Sequence, residues 1–138
     1  IIKMSKNIEQ ILDKDKILAI VGKTKEIGGK SNFITPNEFG IQLVVQNSNQ
    51  EDYWAPHKHP PFENLNFLAA QEFIYVIQGK ISVGIYSKKD EKFTERTLNP
   101  GEFIILNSGH ELKSLEKGTK YIAIKQGPYR EGEKEYIK

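Results

Sequence analysis

Apolar and polar positions alternate in short runs along most of this chain. Residues 40–46 alternate and are rich in Ile, Leu and Val. Residues 72–78 form a short apolar run that ends at Gly79. In 80–87, Ile81, Val83 and Ile85 share one face. Further strand patterns cover 93–98, 103–106, 111–115 and 121–125. Turn signals separate them: the charged 88–92, Asn99-Pro100-Gly101, Asn107 to Gly109, and Lys117-Gly118. Many short strands at this spacing predict an all-β sandwich or barrel. Only the start of the chain reads differently. Ser5 is placed to cap a helix, with Ile8, Ile11 and Leu12 at helical spacing and an end before Lys16. An apolar run at 17–21 and a Gly/Lys-rich stretch at 22–32, read as loop or irregular strand, follow. This divides the chain into an N-terminal helix and arm, 1–32, and a β domain, 33–138. The tail from Gly127 is polar and is expected to cross the surface.

The run at 72–78 is apolar on both faces. Glu72, Ile74, Val76 and Gln78 lie on one side; Phe73, Tyr75 and Ile77 lie on the other. The second row needs a cover, either the N-terminal segment or a second subunit. A homodimer is the expectation, with the arm of one copy against the sheet of the other.

Composition removes several classes of function. The chain has 138 residues, one domain's worth, and no cysteine. Disulfides, thiol catalysis and cysteine-ligated metals are therefore excluded. Twenty basic and 18 acidic residues give a net charge of +2, and only Arg96 and Arg130 are arginine. That balance argues against a nucleic-acid partner. No run is long and apolar enough to span a membrane, and no signal peptide is seen at residue 1 onward, so a cytoplasmic setting is expected. No phosphate loop, nucleophile elbow or dinucleotide fingerprint occurs.

The histidines carry the candidate chemistry. Pro56-His57-Lys58-His59-Pro60 holds two at spacing i, i+2. On a strand this puts both rings on one face, half of a metal site; two exposed histidines in a proline-rich loop are the other reading. The third is His110. Trp54 lies near His57, either to stack on a sugar or to anchor the loop. Gln42, Gln46 and Gln78 are candidate supporting donors. Tyr75, Tyr86, Tyr121 and Tyr129 are candidates to line a pocket, although aromatic residues on strands more often pack.

These positions resemble the cupin superfamily, a double-stranded β-helix or jelly-roll barrel. His57 and His59 match the H-x-H of its first motif, and Glu72 followed by Gly79 matches its E-x6-G. Pro100-Gly101-Glu102, Asn107-Ser108-Gly109 and His110 resemble its second motif. His59-Pro60-Pro61, Gln71-Glu72, Ser108 to Leu112 and Ile124 to Tyr129 look like a group of small single-domain cupins met among genes for surface polysaccharide or nucleotide-sugar assembly. The chain departs from the pattern in four places, one being a second motif two residues short before His110. Glu51 stands where the family has a glycine. Twelve residues separate His59 from Glu72 where the family has 3 or 4. Asn107 replaces a proline. Glu63, four residues after His59, is the rival to Glu72 as ligand; Glu72 is preferred for its strand context and for Gly79.

The resemblance implies one divalent transition metal held by His57, His59, Glu72 and His110. Three imidazoles and a carboxylate suit Zn, Fe, Mn, Ni, Co or Cu alike. Glu72 without a cation would be a costly charge on an inward face. The expected function is that of a metal-dependent enzyme on a small polar substrate such as a sugar or sugar nucleotide, of isomerase or epimerase type. Candidate acid/base groups are Glu63, Tyr75 and Tyr86. The alternatives are a non-catalytic metal- or sugar-binding module, and an Fe(II) dioxygenase.

Overall fold

A computed structural model describes the chain except residues 1, 6, 63–69, 130 and 133, and of residues 2–5 it describes the backbone alone. The described residues form β1 (Ile2–Ser5), β2 (Ile8–Asp13), β3 (Lys16–Lys23), a 3-10 turn (Thr24–Glu26), β4 (Ser31–Phe33), β5 (Val44–Gln46) and β6 (Glu72–Gln78). β7 (Ile81–Tyr86), β8 (Lys92–Leu98), β9 (Glu102–Leu106), β10 (His110–Ser114) and β11 (Lys120–Lys125) follow. The class is all-β, and every strand pairing is antiparallel.

The N-terminal helix expected from Ser5, Ile8, Ile11 and Leu12 is not there; a β-hairpin takes its place. β1 pairs with β2, Ile2 opposite Ile11 and Ser5 opposite Ile8. The physical reason lies in the two faces of the sheet. Ile11 is fully buried in one core cluster, and Ile8 packs against a second cluster on the other face. A spacing of three is one turn of a helix, but on a strand it puts one residue on each side. Asn7 and Lys14, both at positive φ, sit at the turns that begin and end β2.

Six strands form one sheet in the order β1-β2-β3-β9-β6-β11, and three form a second in the order β10-β7-β8. Both contribute to one buried cluster: Ile11, Ala19, Ile74, Val76, Ile104 and Leu106 from the first, Ile81, Val83, Ile85 and Leu98 from the second. Each Ile, Leu or Val among them adds about 1.5–3 kcal/mol through burial. The sheets thus face one another, and among the described residues strand pairing does not close them into a barrel. Arg96 on β8 reaches Glu9 on β2 through two bonds, 2.8 and 3.2 Å, tying the sheets together on the β8 side.

The first sheet is covered on its other face too. Ile20, Phe103 and Ile105 are buried there with Ile27 and Ile34, and Phe39, Leu43, Val45, Phe73 and Tyr75 pack around them. The apolar row opposite Glu72 therefore finds most of its cover within the chain, from the segment carrying β4 and β5. Ile77 remains 44% exposed. This face also explains Gly22, which lies opposite Phe103 in register; a Cβ at Gly22 would come within 2.4 Å of that ring.

From residue 72 to 125 the predicted strands match the observed ones to within one residue at each end. Residues 40–46 yield only the three-residue β5, paired with β4. The arm at 1–32 carries β3, which lies between β2 and β9 in the large sheet. No helix among the described residues is long and apolar enough to cross a membrane.

Candidate metal centre

Glu72 opens β6 on its inward face, opposite Leu106 of β9 and Lys125 of β11. His110 opens β10 opposite Ile85, also inward. The two belong to different sheets, and facing the sheets brings them together. His110 Nε2 lies 3.0 Å from Glu72 Oε1, with the carboxylate side chain 14% and the imidazole 27% exposed.

The other ring nitrogen fixes the chemistry. His110 Nδ1 is 3.0 Å from the carbonyl oxygen of Ser108. A carbonyl only accepts, so Nδ1 carries a proton and donates it. Nε2 is then the atom left to hold either a second proton or a metal. Backbone fixing of the far nitrogen is the usual arrangement of a metal-binding histidine. With a proton on Nε2, the pair is an imidazolium donating to a carboxylate. Accordingly the hydrogen bond to Glu72 raises the pKa of His110 above its ordinary value, against the opposing effects of burial and of Lys125.

A buried amide network stands behind the pair. Gln71, 5% exposed, accepts from the backbone N–H of Ile41 at 2.9 Å and donates to Asn107 Oδ1 at 2.9 Å. Asn107 Nδ2 donates to the carbonyl of Ile17 at 2.9 Å, and its backbone N–H to that of Leu18 at 2.9 Å. Lys88 Nζ donates to the carbonyl of Asn107. Burial, with Lys16 near, lowers the Lys88 pKa. The network ties the start of β6, the end of β9, β3 and the segment before β5 into one frame, one residue from Glu72 and three from His110. Sequence reasoning reads Asn107 as part of a turn and as a departure from a motif. Its use appears once Gln71 is seen to be buried.

His57 and His59 make a second pair. Their ring centroids lie 5.2 Å apart in an edge-on arrangement, on an exposed stretch without regular structure. His57 Nδ1 donates to the carbonyl of Ala55 at 2.8 Å, which again leaves Nε2 as the free donor atom. The same i to i−2 contact is made by His110. Among the described residues, no three His, Cys, Asp or Glu side chains come together as a group able to hold an ion. The four candidate ligands thus stand as two pairs. Glu63, the rival ligand, lies outside the described residues.

The remaining candidates are placed elsewhere. Tyr75 packs into the outer cluster, on the face of β6 opposite Glu72. Tyr86 lies toward Glu111, whose carboxyl is held below its ordinary range by Lys92 first and by Tyr86 to a smaller extent. Gln42 bonds its own loop at Pro36 and Phe39, Gln46 accepts from Ser31, and Gln78 donates to Gly118. Trp54 is 57% exposed, with Tyr53 and Phe62 exposed in the same loop.

Comparison with family models, with curated proteins and with solved structures finds no match.

Proposed function

We propose that this chain is a small metal-binding protein of the cupin kind, its two facing sheets being an open form of the jelly-roll barrel. It holds one divalent transition ion on His57, His59, Glu72 and His110 and presents it to a small polar molecule, such as a sugar or sugar nucleotide. One observation carries the reading: His110 has its Nδ1 committed to a backbone carbonyl and its Nε2 aimed at the Glu72 carboxylate. That is two adjoining ligand atoms, one neutral and one anionic, prepared on a rigid frame. His57, with Nδ1 likewise committed, fits as a further nitrogen donor. The donor set suits a borderline divalent ion, since imidazole and carboxylate together serve Zn, Fe, Mn, Ni, Co and Cu.

When bound, such an ion supplies Lewis acidity toward a carbonyl or hydroxyl oxygen. The chain's own part is to hold the Glu72 carboxyl beside His110 and the His110 ring in one tautomer. A second reading, a metal- or sugar-binding module without catalysis, draws on a specific observation. Tyr75 and Tyr86 both engage partners away from the His110–Glu72 pair, so neither stands ready to move a proton there.

Elemental analysis of the purified chain tests the proposal. One divalent transition ion per chain is expected, lost in His110→Ala and in His59→Ala. A chain that neither carries nor takes up such an ion contradicts it. Proton exchange at a sugar carbon, followed in deuterated water with the loaded protein, separates the catalytic reading from the binding one.

A further inference from the structure

His110 Nδ1 reaches back to the carbonyl of Ser108 across a single residue, Gly109. The backbone angles of that residue decide whether the contact forms, and glycine is the residue least able to hold its own angles. Unlike Gly79, Gly101 and Gly118, Gly109 does not lie at positive φ, so no left-handed turn calls for a glycine there. What calls for one is close approach. A Cβ at Gly109 would come within 2.6 Å of Ile137 Cδ1 and 3.4 Å of Tyr86 Cβ. The Gly109 carbonyl in turn accepts from the N–H of Tyr86 at 2.8 Å. The joint that aims His110 is thus held by the end of β7 and by residue 137.

Ile137 lies on the segment after β11, and that segment is fastened beside both members of the strand pair. At its start the N–H of Gln126 donates to the carbonyl of Gln71 at 3.4 Å, next to Glu72. At residue 137 it rests on Gly109, next to His110. The first contact is at the end of the six-stranded sheet, and the second is on the turn that leads into β10 of the other. Ile137 belongs to neither buried cluster and is 37% exposed, so what it does is local. We propose that this segment is a strap between the two sheets and that Ile137 is a positioning residue for His110. Its δ-methyl closes one side of Gly109. That keeps the Ser108 carbonyl within reach of Nδ1 and leaves Nε2 as the atom turned toward Glu72. The effect on metal binding rests on the proposed reading of His110 as a ligand, and the effect on the ring does not.

Nitrogen-resolved NMR of the metal-free chain decides this, in alkaline buffer where the imidazole is neutral. Wild type is expected to show His110 as one tautomer, protonated on Nδ1. Ile137→Ala removes the δ-methyl and is expected to give a mixture of both tautomers. Ile137→Leu keeps a methyl at that reach and is expected to hold one. Gly109→Ala is expected to mix the tautomers in the wild-type background and to add nothing in Ile137→Ala, where its methyl has room. In a Zn²⁺ titration, Ile137→Ala is expected to bind about tenfold more weakly than wild type. A merely structural Ile137 would lower the melting temperature and leave tautomer and affinity alone. A wild-type chain that takes up no Zn²⁺ fails the proposed function, and the ring readout then decides the role of Ile137 by itself. A single Nδ1–H tautomer in Ile137→Ala overturns the inference. So does a Gly109→Ala effect of equal size in both backgrounds.

Discussion

His110 and Glu72 are held by strands of two different sheets, whereas His57 and His59 lie on an exposed loop. Both arrangements commit a histidine Nδ1 to the carbonyl two residues earlier. What differs is the frame. Behind Glu72 run Ile74 and Val76, both fully buried, and beside it Gln71 and Asn107 fasten four segments. Around His57 and His59, residues 53–62 are all exposed. The lesson is that ligand atoms of equal chemistry can be prepared to unequal degrees. On the proposed function, the strand pair stands ready, and the loop pair would have to be brought to it. A site built on rigid elements keeps its geometry better than one built on loops.

The contrast is broken first through the core. Ile74→Ala removes a fully buried side chain two residues from Glu72 on the same face, and is expected to cost about 2–5 kcal/mol in chemical denaturation. Phe62→Ala, in the exposed loop, is expected to change stability by no more than about 0.5 kcal/mol. A large loss at Phe62 would mean that the loop is itself part of the frame.

The amide network comes next. Asn107→Ala deprives Gln71 of an acceptor and Ile17 of a donor, and an unsatisfied buried group costs about 1–3 kcal/mol. If Asn107 serves only the turn, its loss leaves metal uptake unchanged. If it frames the site, the variant is expected to bind metal about 10–100-fold more weakly, as other losses of outer support do. Isothermal titration with Zn²⁺ reads the difference.

The smallest effect is one of pH. In metal-free protein, His110 has a raised pKa because Glu72 accepts its Nε2–H. A raised folded-state pKa gives stability that is fully present below the unfolded value, about 6.5, and is lost as pH rises through the folded value. Thermal melts in a chelator are therefore expected to fall on raising the pH through that window. Glu72→Gln is expected to flatten the fall, because the hydrogen bond that raises the pKa is weakened. A fall of equal size in Glu72→Gln would assign the pH dependence to another group.

Much of the frame was legible in the sequence, and the reasons are local. Between residues 72 and 125 each strand has its turn: Gly79 at φ +80° before β7, Gly101 at φ +85° before β9, Gly118 at φ +77° before β11. The alternation of Ile81, Val83 and Ile85 is clean, and all three are buried in the inner cluster. The N-terminal hairpin was not legible because Ile8 and Ile11 serve opposite faces of a sheet covered on both sides, which mimics helical spacing. The covering segment, Ile27 to Val45, was invisible as a layer, since it is held by scattered contacts rather than by a periodic pattern. At the site, the inward face of Glu72 and the turn before His110 could be read from spacing. Their meeting was not in the spacing and was implied only by the family resemblance, because Glu72 and His110 lie 38 residues apart in sequence and only the packing of two sheets brings them to 3.0 Å.

The central claim is that His110 Nε2 is a ligand atom held ready, with Nδ1 locked. Nitrogen-resolved NMR of the histidine rings, before and after adding Zn²⁺, tests it most directly. The account expects Nδ1 of His110 to remain protonated throughout, while Nε2 exchanges its proton for the metal and a proton is released to solvent. Nε2 of His57 is expected to shift in the same titration step. A His110 ring whose nitrogens do not respond to Zn²⁺, while His57 and His59 do, would contradict the account and leave the strand pair as an ordinary ion pair between two sheets.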